Sequence, residues 1–404
     1  MKQFTNFTFS MKSEIVFGKG VVAQTAELVR KYGGTKVLFV YEGELTRKIG
    51  LYDTVVAALE AGGIPFVEIS GIQPNPRRSL VEKGVALALE EQADFVLAVG
   101  GASTIDTGKA IALGIANDGD FWQFFNWTPD PIVPQKIAPV GAIPTIAAAG
   151  SETSFSIVIL DDIDLHKKFN SNYTQNRPTF AIMDPELTYS VPRYQTALGS
   201  VDIMAHTFDS YFQSAFSGLG DRFGVGVMRN VVKYGPIAVE HPDDYEARSE
   251  LLLCSSMSHN DVTRIGRKSP GGAVHSLEAQ ISGTYDTPHG AGIGVMMHAY
   301  LEYLATKGEP IHVARAAQFA VDVFEAEPDM NDVQSTALEG VRRLRAWIKS
   351  MGLPLTLKEL GVPDPVGDFE DIVARRRCSP DGIIYGFIDL DEAASREIYA
   401  SVLE

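Results

Sequence analysis

The chain has 404 residues, 45% hydrophobic and 21% charged, a composition that lets a globular protein bury a core and gives room for two domains. Acidic residues outnumber basic ones 51 to 35 for a formal charge of −16, which argues against nucleic acid and anionic membrane surfaces as partners. The opening MKQFTNFTFSMKSEIVFGKG lacks the apolar run and cleavage site of a secretory signal, no stretch is long and apolar enough to span a membrane, and Cys254 and Cys378 form no C-x-x-C pair. A soluble protein of a reducing cytoplasm is therefore expected.

In chain order, residues 4–18 alternate enough to predict a hairpin or edge strand, an element that often pairs with a second copy, so a homodimer is expected. TKVLFVY (35–41) reads as a buried strand, LYDTVVAALEAGG (51–63) as a helix that stops at Gly62-Gly63, and IPFVEI (64–69) as a strand. After the turn-rich GIQPNP, residues 78–92 read as a helix and DFVLAVGG as another buried strand, with further strands at 136–143 and 179–185. This is the rhythm of a parallel, helix-covered sheet. From Pro192 the pattern turns helical, at 192–216, 219–239, 244–260, 291–306, 312–326, 334–351 and 391–404, with no convincing strand between. The predicted architecture is an α/β domain with a parallel sheet over 1–187 and an all-α domain over 188–404.

LAVGGASTIDTGKAIAL (97–113) sets a strand, a Gly-Gly turn and a helix in succession. Gly100 and Gly101 allow close backbone approach, Ser103 with Asp106 three positions on suggests a capping pair, and the free N–H groups of a helix start suit a diphosphate. A tight, well-capped strand-to-helix turn explains the same residues, and the fingerprint G-x-G-x-x-G is missing. Glu42, with Glu44 nearby, follows the strand VLFVY, where a carboxylate accepts hydrogen bonds from a free ribose 2′-OH and repels a 2′-phosphate; this favours NAD over NADP.

Asp202 and His206 are four apart on a helical pattern and share a face, while His275 and His289 lie fourteen apart, the second in a TPHGAG turn. One carboxylate and three imidazoles suit zinc or iron, although core packing and solvation account equally for isolated residues of these types. The aromatic run FWQFFNW (121–127) could line an apolar substrate pocket or fill a core.

The order GGASTIDTGK, PTIAAAGSE, D-x-x-x-H, then a histidine followed fourteen residues later by HG, resembles the iron-containing (group III) alcohol dehydrogenase family, especially its butanol dehydrogenase-like and aldehyde reductase-like branch. The resemblance runs from EIVFGKG (14–20) through GIQPNP (71–76) into the C-terminal half. It implies a dinucleotide-binding α/β domain, an all-helical metal-binding domain and a cleft between them. It carries the metal ligands onto Asp202, His206, His275 and His289, and cofactor contacts onto Gly100, Gly101, Ala102, Ser103, Asp106, Thr145 and Lys168. The implied reaction is reversible hydride transfer between NAD(H) and a small primary alcohol or aldehyde, assisted by Fe2+ or Zn2+ as Lewis acid.

The chain departs from the family pattern at Ala102 for a usual glycine, at Ile146 and Ala149 for threonines, and at Ala279, where many members carry a histidine. Proton transfer then falls to solvent or cofactor ribose hydroxyls. Two other readings compete. One is a lyase or synthase of the dehydroquinate synthase kind, which needs converging cations such as Arg264, Arg267 and Lys268; the other is a non-catalytic cofactor-binding relative.

Overall fold

The computed structural model describes residues 6–127, 132–165, 167–267 and 272–404; His166 and Lys268 fall outside them. The chain divides into a unit spanning Ser10–Val191 and a unit spanning Pro192–Glu404, the latter joined by the described residues ahead of Ser10.

The first unit is built on a sheet of β1 (Glu14–Phe17), β2 (Val37–Tyr41), β3 (Phe66–Ile69), β4 (Phe95–Gly100) and β5 (Val140–Pro144). An antiparallel pair, β6 (Ser156–Leu160) and β7 (Lys168–Asn172), stands apart before β8 (Phe180–Met183) completes the sheet. The sheet order is β1-β8-β5-β4-β2-β3, and every neighbouring pair is parallel. Helices α1 (Thr25–Lys31), α2 (Glu44–Lys48), α3 (Leu51–Ala61), α4 (Arg78–Glu90) and α5 (Ala102–Ala116) make the connections among β1 to β5.

The central strands β2 and β4 are apolar at every position because alternate side chains enter two different cores. Leu38, Val40 and Val96 pack with Val81, Val85 and Ile111 of α4 and α5 on one face. Phe39, Phe95, Leu97 and Val99 pack with Val29, Val55 and Leu59 of α1 and α3 on the other. The aromatic run resolves as core: Phe121, Phe124 and Phe125 are buried in the first of these clusters, and Trp122 stacks on Phe125 at 4.8 Å.

The expectation for residues 4–18 resolves in favour of its edge-strand alternative. No hairpin forms near the N-terminus among the described residues; 6–13 have no regular structure, and β1 is a parallel edge strand held by β8. The β6–β7 pair was absent from the sequence reading, since KFNSN of β7 has one apolar residue and gives no period-2 signal.

The second unit is helical, with an isolated bridge, Ile384 to Leu390, as its nearest approach to a strand among the described residues. Its helices are α6 (Arg193–Tyr211), α7 (Gly218–Glu240), α8 (Tyr245–His259), α9 (Ala273–Tyr285), α10 (His289–Lys307), α11 (Pro310–Phe324) and α12 (Val333–Ser350). The short α13 (Leu357–Leu360), α14 (Phe369–Arg375) and α15 (Glu392–Ala400) follow. Helix α6 is central, buried at every position from Thr196 to Tyr211. Its hydroxyls turn inward on the helix itself: Ser200, Thr207 and Ser210 donate to the carbonyls of Thr196, Ile203 and His206. The carboxylates and imidazole that remain on α6 must find partners elsewhere.

Candidate metal centre and dinucleotide site

Three helices bring the four candidate ligands of the helical unit together. Asp202 and His206 lie one turn apart on α6, His275 is in the first turn of α9, and His289 opens α10 directly after Pro288. Asp202, His275 and His289 each bring a ligand atom within 4.8 Å of the others. His206 Nε2 is 3.5 Å and His275 Nε2 3.7 Å from Asp202 Oδ1. Metal–ligand bonds of about 2.0–2.2 Å arranged tetrahedrally make edges of about 3.4 Å, so these separations fit a single ion. Asp202 Oδ1 and His275 Nε2 are buried without a hydrogen-bond partner among the described residues, a costly state for polar atoms that a cation would relieve.

Local packing sets these positions. A Cβ on Gly290 would lie 2.6 Å from the Leu198 carbonyl oxygen, so the absence of a side chain there lets the start of α10 approach the α6 backbone. Asp209, seven residues beyond Asp202 on α6, accepts from the backbone N–H of Val274 at 3.1 Å and of His275 at 3.3 Å, acting as the N-terminal cap of α9. Its Oδ2 also meets His275 Nδ1 at 2.6 Å, which fixes the ring and leaves Nε2 for a ligand role. Glu278, fully buried on α9, pairs with His289 Nδ1. His206 lies between two rings, stacked on His259 at 4.1 Å and on His275 at 4.3 Å.

Charge follows from this packing. Burial pushes the Asp202 carboxyl up, but the surrounding imidazoles, His206 first and then His275 and His289, outweigh it, so the acid stays ionised. Burial, reinforced by His259 and His275, holds His206 well below the usual histidine value and keeps it neutral. His275 is the opposite case: burial disfavours its charge, yet Asp202 and Asp209 raise its pKa to about 9. A divalent cation binding here would displace that proton.

In the α/β unit, Glu42, Gly100 and Thr145 stand at the C-terminal ends of the neighbouring strands β2, β4 and β5. The chain leaves β2 for β3 on one side and returns to β4 on the other, so Glu42 and Gly100 flank the point where strand order reverses, the place where open α/β sheets bind ligands. Gly100 has φ of 152°, and a Cβ there would lie 2.6 Å from Thr104 Oγ1. Gly101 caps α5, Ala102 is its first residue with φ negative, and Thr145 N–H donates to the Gly100 carbonyl at 3.2 Å. Ile146 Cγ2 would lie 3.3 Å from a Cβ on Gly101. A side chain at Gly100 would collide with Thr104 and one at Gly101 would crowd Ile146, so the turn needs both glycines, and the α5 start behind them presents the free N–H groups that suit an anion.

Ser103, Asp106 and Lys168 are placed differently from expectation. Ser103 is the second residue of α5 and caps nothing, since the cap residue is Gly101. Asp106 points into the protein: Oδ1 accepts from Ser151 Oγ and Oδ2 from Val158 N–H at 2.9 Å. Lys168 begins β7, in register with Leu160, and so belongs to the antiparallel pair instead of the C-terminal edge of the parallel sheet. Glu42 Oε2 accepts from Leu45 N–H at 3.1 Å, which caps the turn into α2 and leaves its other oxygen for a further donor. Of the cations expected of a lyase, Lys268 lies outside the described residues, Arg267 donates to the Ser210 carbonyl and Asp221, and Arg264 Nε donates to Ser210 Oγ at 3.1 Å.

A doubly wound α/β unit with an anion cradle at its switch point, joined in one chain to a helical unit where a carboxylate and imidazoles converge, is the equipment of a metal- and dinucleotide-dependent oxidoreductase. The chain belongs to the iron-containing alcohol dehydrogenase family: residues 12–185 match "Iron-containing alcohol dehydrogenase" and residues 196–380 match "Fe-containing alcohol dehydrogenase family, C-terminal". It is 35% identical over 358 residues to NADH-dependent butanol dehydrogenase A of Clostridium acetobutylicum, covering 88% of this chain and 90% of that one. With the NADPH-dependent aldehyde reductase YqhD of Escherichia coli it shares 28% identity over 361 residues, 88% of this chain and 89% of the relative. The crystal structure of NADH-dependent butanol dehydrogenase A from Thermotoga maritima superposes with a TM-score of 0.91 at 31% identity, covering 100% of both chains. The protein is an alcohol dehydrogenase of this family, and no helix among its described residues is long and apolar enough to cross a membrane.

Proposed function

We propose that the protein interconverts a small primary alcohol and its aldehyde with NAD(H), holding one divalent metal ion with Asp202, His206, His275 and His289. The observation that carries this reading is the approach of ligand atoms of ionised Asp202, His275 and His289 to within 4.8 Å of one another, with neutral His206 Nε2 alongside at 3.5 Å from Asp202 Oδ1. A bound metal would supply Lewis acidity and a bound nicotinamide the hydride chemistry. The chain's own residues hold the ligand set in place. Asp209 and Glu278 aim His275 and His289, and the stack of His259, His206 and His275 fixes the middle ring. Ala279 offers no titratable group, so proton transfer would fall to solvent or to hydroxyls of the bound cofactor.

On the cofactor side, Gly100 to Ser103 with Thr145 receive the diphosphate, and Glu42 selects NAD over NADP through its open oxygen. Iron and zinc both suit a donor set of three nitrogens and one oxygen. A homodimer formed through the N-terminal edge strand β1 completes the proposal. The test is NADH oxidation with butanal by metal-stripped protein reloaded separately with Fe(II) and Zn(II), with NADPH in parallel. Metal-restored turnover that prefers NADH is expected. Turnover by stripped protein, or a preference for NADPH, contradicts the metal or the Glu42 assignment respectively.

A further inference from the structure

Lys109 is fully buried within α5, two turns beyond the glycine turn, and the reading so far gives it no task. Its ammonium donates to Ser151 Oγ at 2.6 Å, to the Ser156 carbonyl at 2.9 Å and to Asp106 Oδ1 at 3.4 Å. Three acceptors match three ammonium hydrogens, which is the charged form of the side chain. Ser151 in turn donates to the same Asp106 oxygen, and Val158 N–H takes the other, so the ring of contacts is closed. Glu152 and Arg177, both buried, add one charge of each sign beside it, and Arg177 donates to the Thr153 carbonyl at 3.1 Å.

Burying so many charges stabilises a fold less than apolar side chains of similar volume would, so their use calls for a geometric reason. The acceptors supply one. Ser151 and Ser156 lie downstream of Thr145 on the chain that runs from β5 to β6, and near its start Ile146 lies against Gly101.

We propose that Lys109 is a positioning residue for the dinucleotide: its ammonium fastens Ser151 and Ser156 to α5 and so sets the course of the connection that begins at Thr145 and Ile146 beside Gly100 and Gly101, one wall of the diphosphate cradle, before the ligand arrives. This rests on the dinucleotide reading above. It predicts that Lys109 matters for the phosphate-bearing part of the ligand and not for the nucleoside.

The experiment measures dissociation constants for NADH by fluorescence and inhibition constants for ADP and adenosine, in wild type, Lys109→Met, Ser151→Ala and the double variant, with thermal melts and metal content alongside. Lys109→Met should weaken NADH and ADP by roughly tenfold, the loss expected when a charge-assisted hydrogen bond stops ordering a site, and leave adenosine and the metal content unchanged. Ser151→Ala should act in the same direction, and the double variant should be no worse than Lys109→Met, because both break one link. Equal losses for adenosine and ADP, unchanged ADP binding, or additive losses would overturn the role. If Lys109→Met does not fold, Ser151→Ala carries the comparison alone. Wild-type protein that binds neither NADH nor ADP defeats the dinucleotide reading, and this inference with it.

Discussion

At the scale of single residues, the candidate centre has two layers, and only the outer donors differ from what the sequence makes legible. Asp202 and His206 are legible because a spacing of four puts them on one helix face, and His289 because Pro288 and Gly290 mark a helix start. Asp209 and Glu278 carry the same kind of signal, three residues after His206 and three after His275, yet acidic residues on helices are ordinarily solvated, so spacing alone does not distinguish them. Their role emerges only when α9 is capped by a carboxylate from α6. Asp209→Ala should therefore weaken metal binding by about 10- to 100-fold, the usual effect of removing a partner from a ligating histidine, and cost about 1 kcal/mol from the lost cap. Chelator competition and a thermal melt measure both; metal affinity equal to wild type would remove Asp209 from the account. Glu278→Gln, which keeps the volume but not the charge, should weaken metal binding in the same direction and by less than Glu278→Ala.

At the scale of elements, the alternation of apolar strands and helices gives away the parallel sheet, because strands buried on both faces are apolar throughout. The glycine turn is legible too, but its details are not. Ser103 looks like a cap by its spacing to Asp106, and the backbone instead begins α5 at Ala102, with Asp106 drawn inward by Ser151 and Val158. β7 is invisible because its polar residues pair with β6 through backbone bonds, which carry no sequence signature. Helix α9 has apolar residues at 274, 277 and 281, but its flanking glycines disguise its start. The element-level prediction concerns Gly100. A residue with a side chain there must adopt φ near 152° and meet Thr104, so Gly100→Ala should cost roughly 1–3 kcal/mol and reduce NADH affinity while leaving metal binding in the helical unit intact. Calorimetric melts and NADH titrations check this, and unchanged NADH affinity would mean that the turn does not face the cofactor.

At the scale of the whole molecule, the two units make separate demands on stability, and the helical one carries a pH dependence apart from the metal ligands. His298 is buried on α10, donates through Nε2 to the Leu355 carbonyl at 2.9 Å and accepts at Nδ1 from Arg345 Nε at 3.2 Å. Burial, then the Arg345 charge, lowers its pKa from 6.5 to about 4, so the folded chain holds it neutral. Between those values the unfolded chain takes up a proton that the folded chain refuses; stability therefore falls as pH drops from 6.5 to 4 and is flat above, a change of roughly 3 kcal/mol at most. Denaturant titrations of wild type and His298→Gln across pH 4.5–7, a window set by about 4 and 6.5, should show a shallower acid slope in the variant; parallel slopes would rule His298 out as the source. The measurement that bears most directly on the central claim is metal stoichiometry beside aldehyde-dependent NADH oxidation for wild type and for alanine at Asp202, His206, His275 and His289 in turn. One divalent ion per chain in wild type, with metal and turnover lost together in every variant, is the predicted result. A variant that keeps turnover without metal, or wild type that binds no ion, would contradict it.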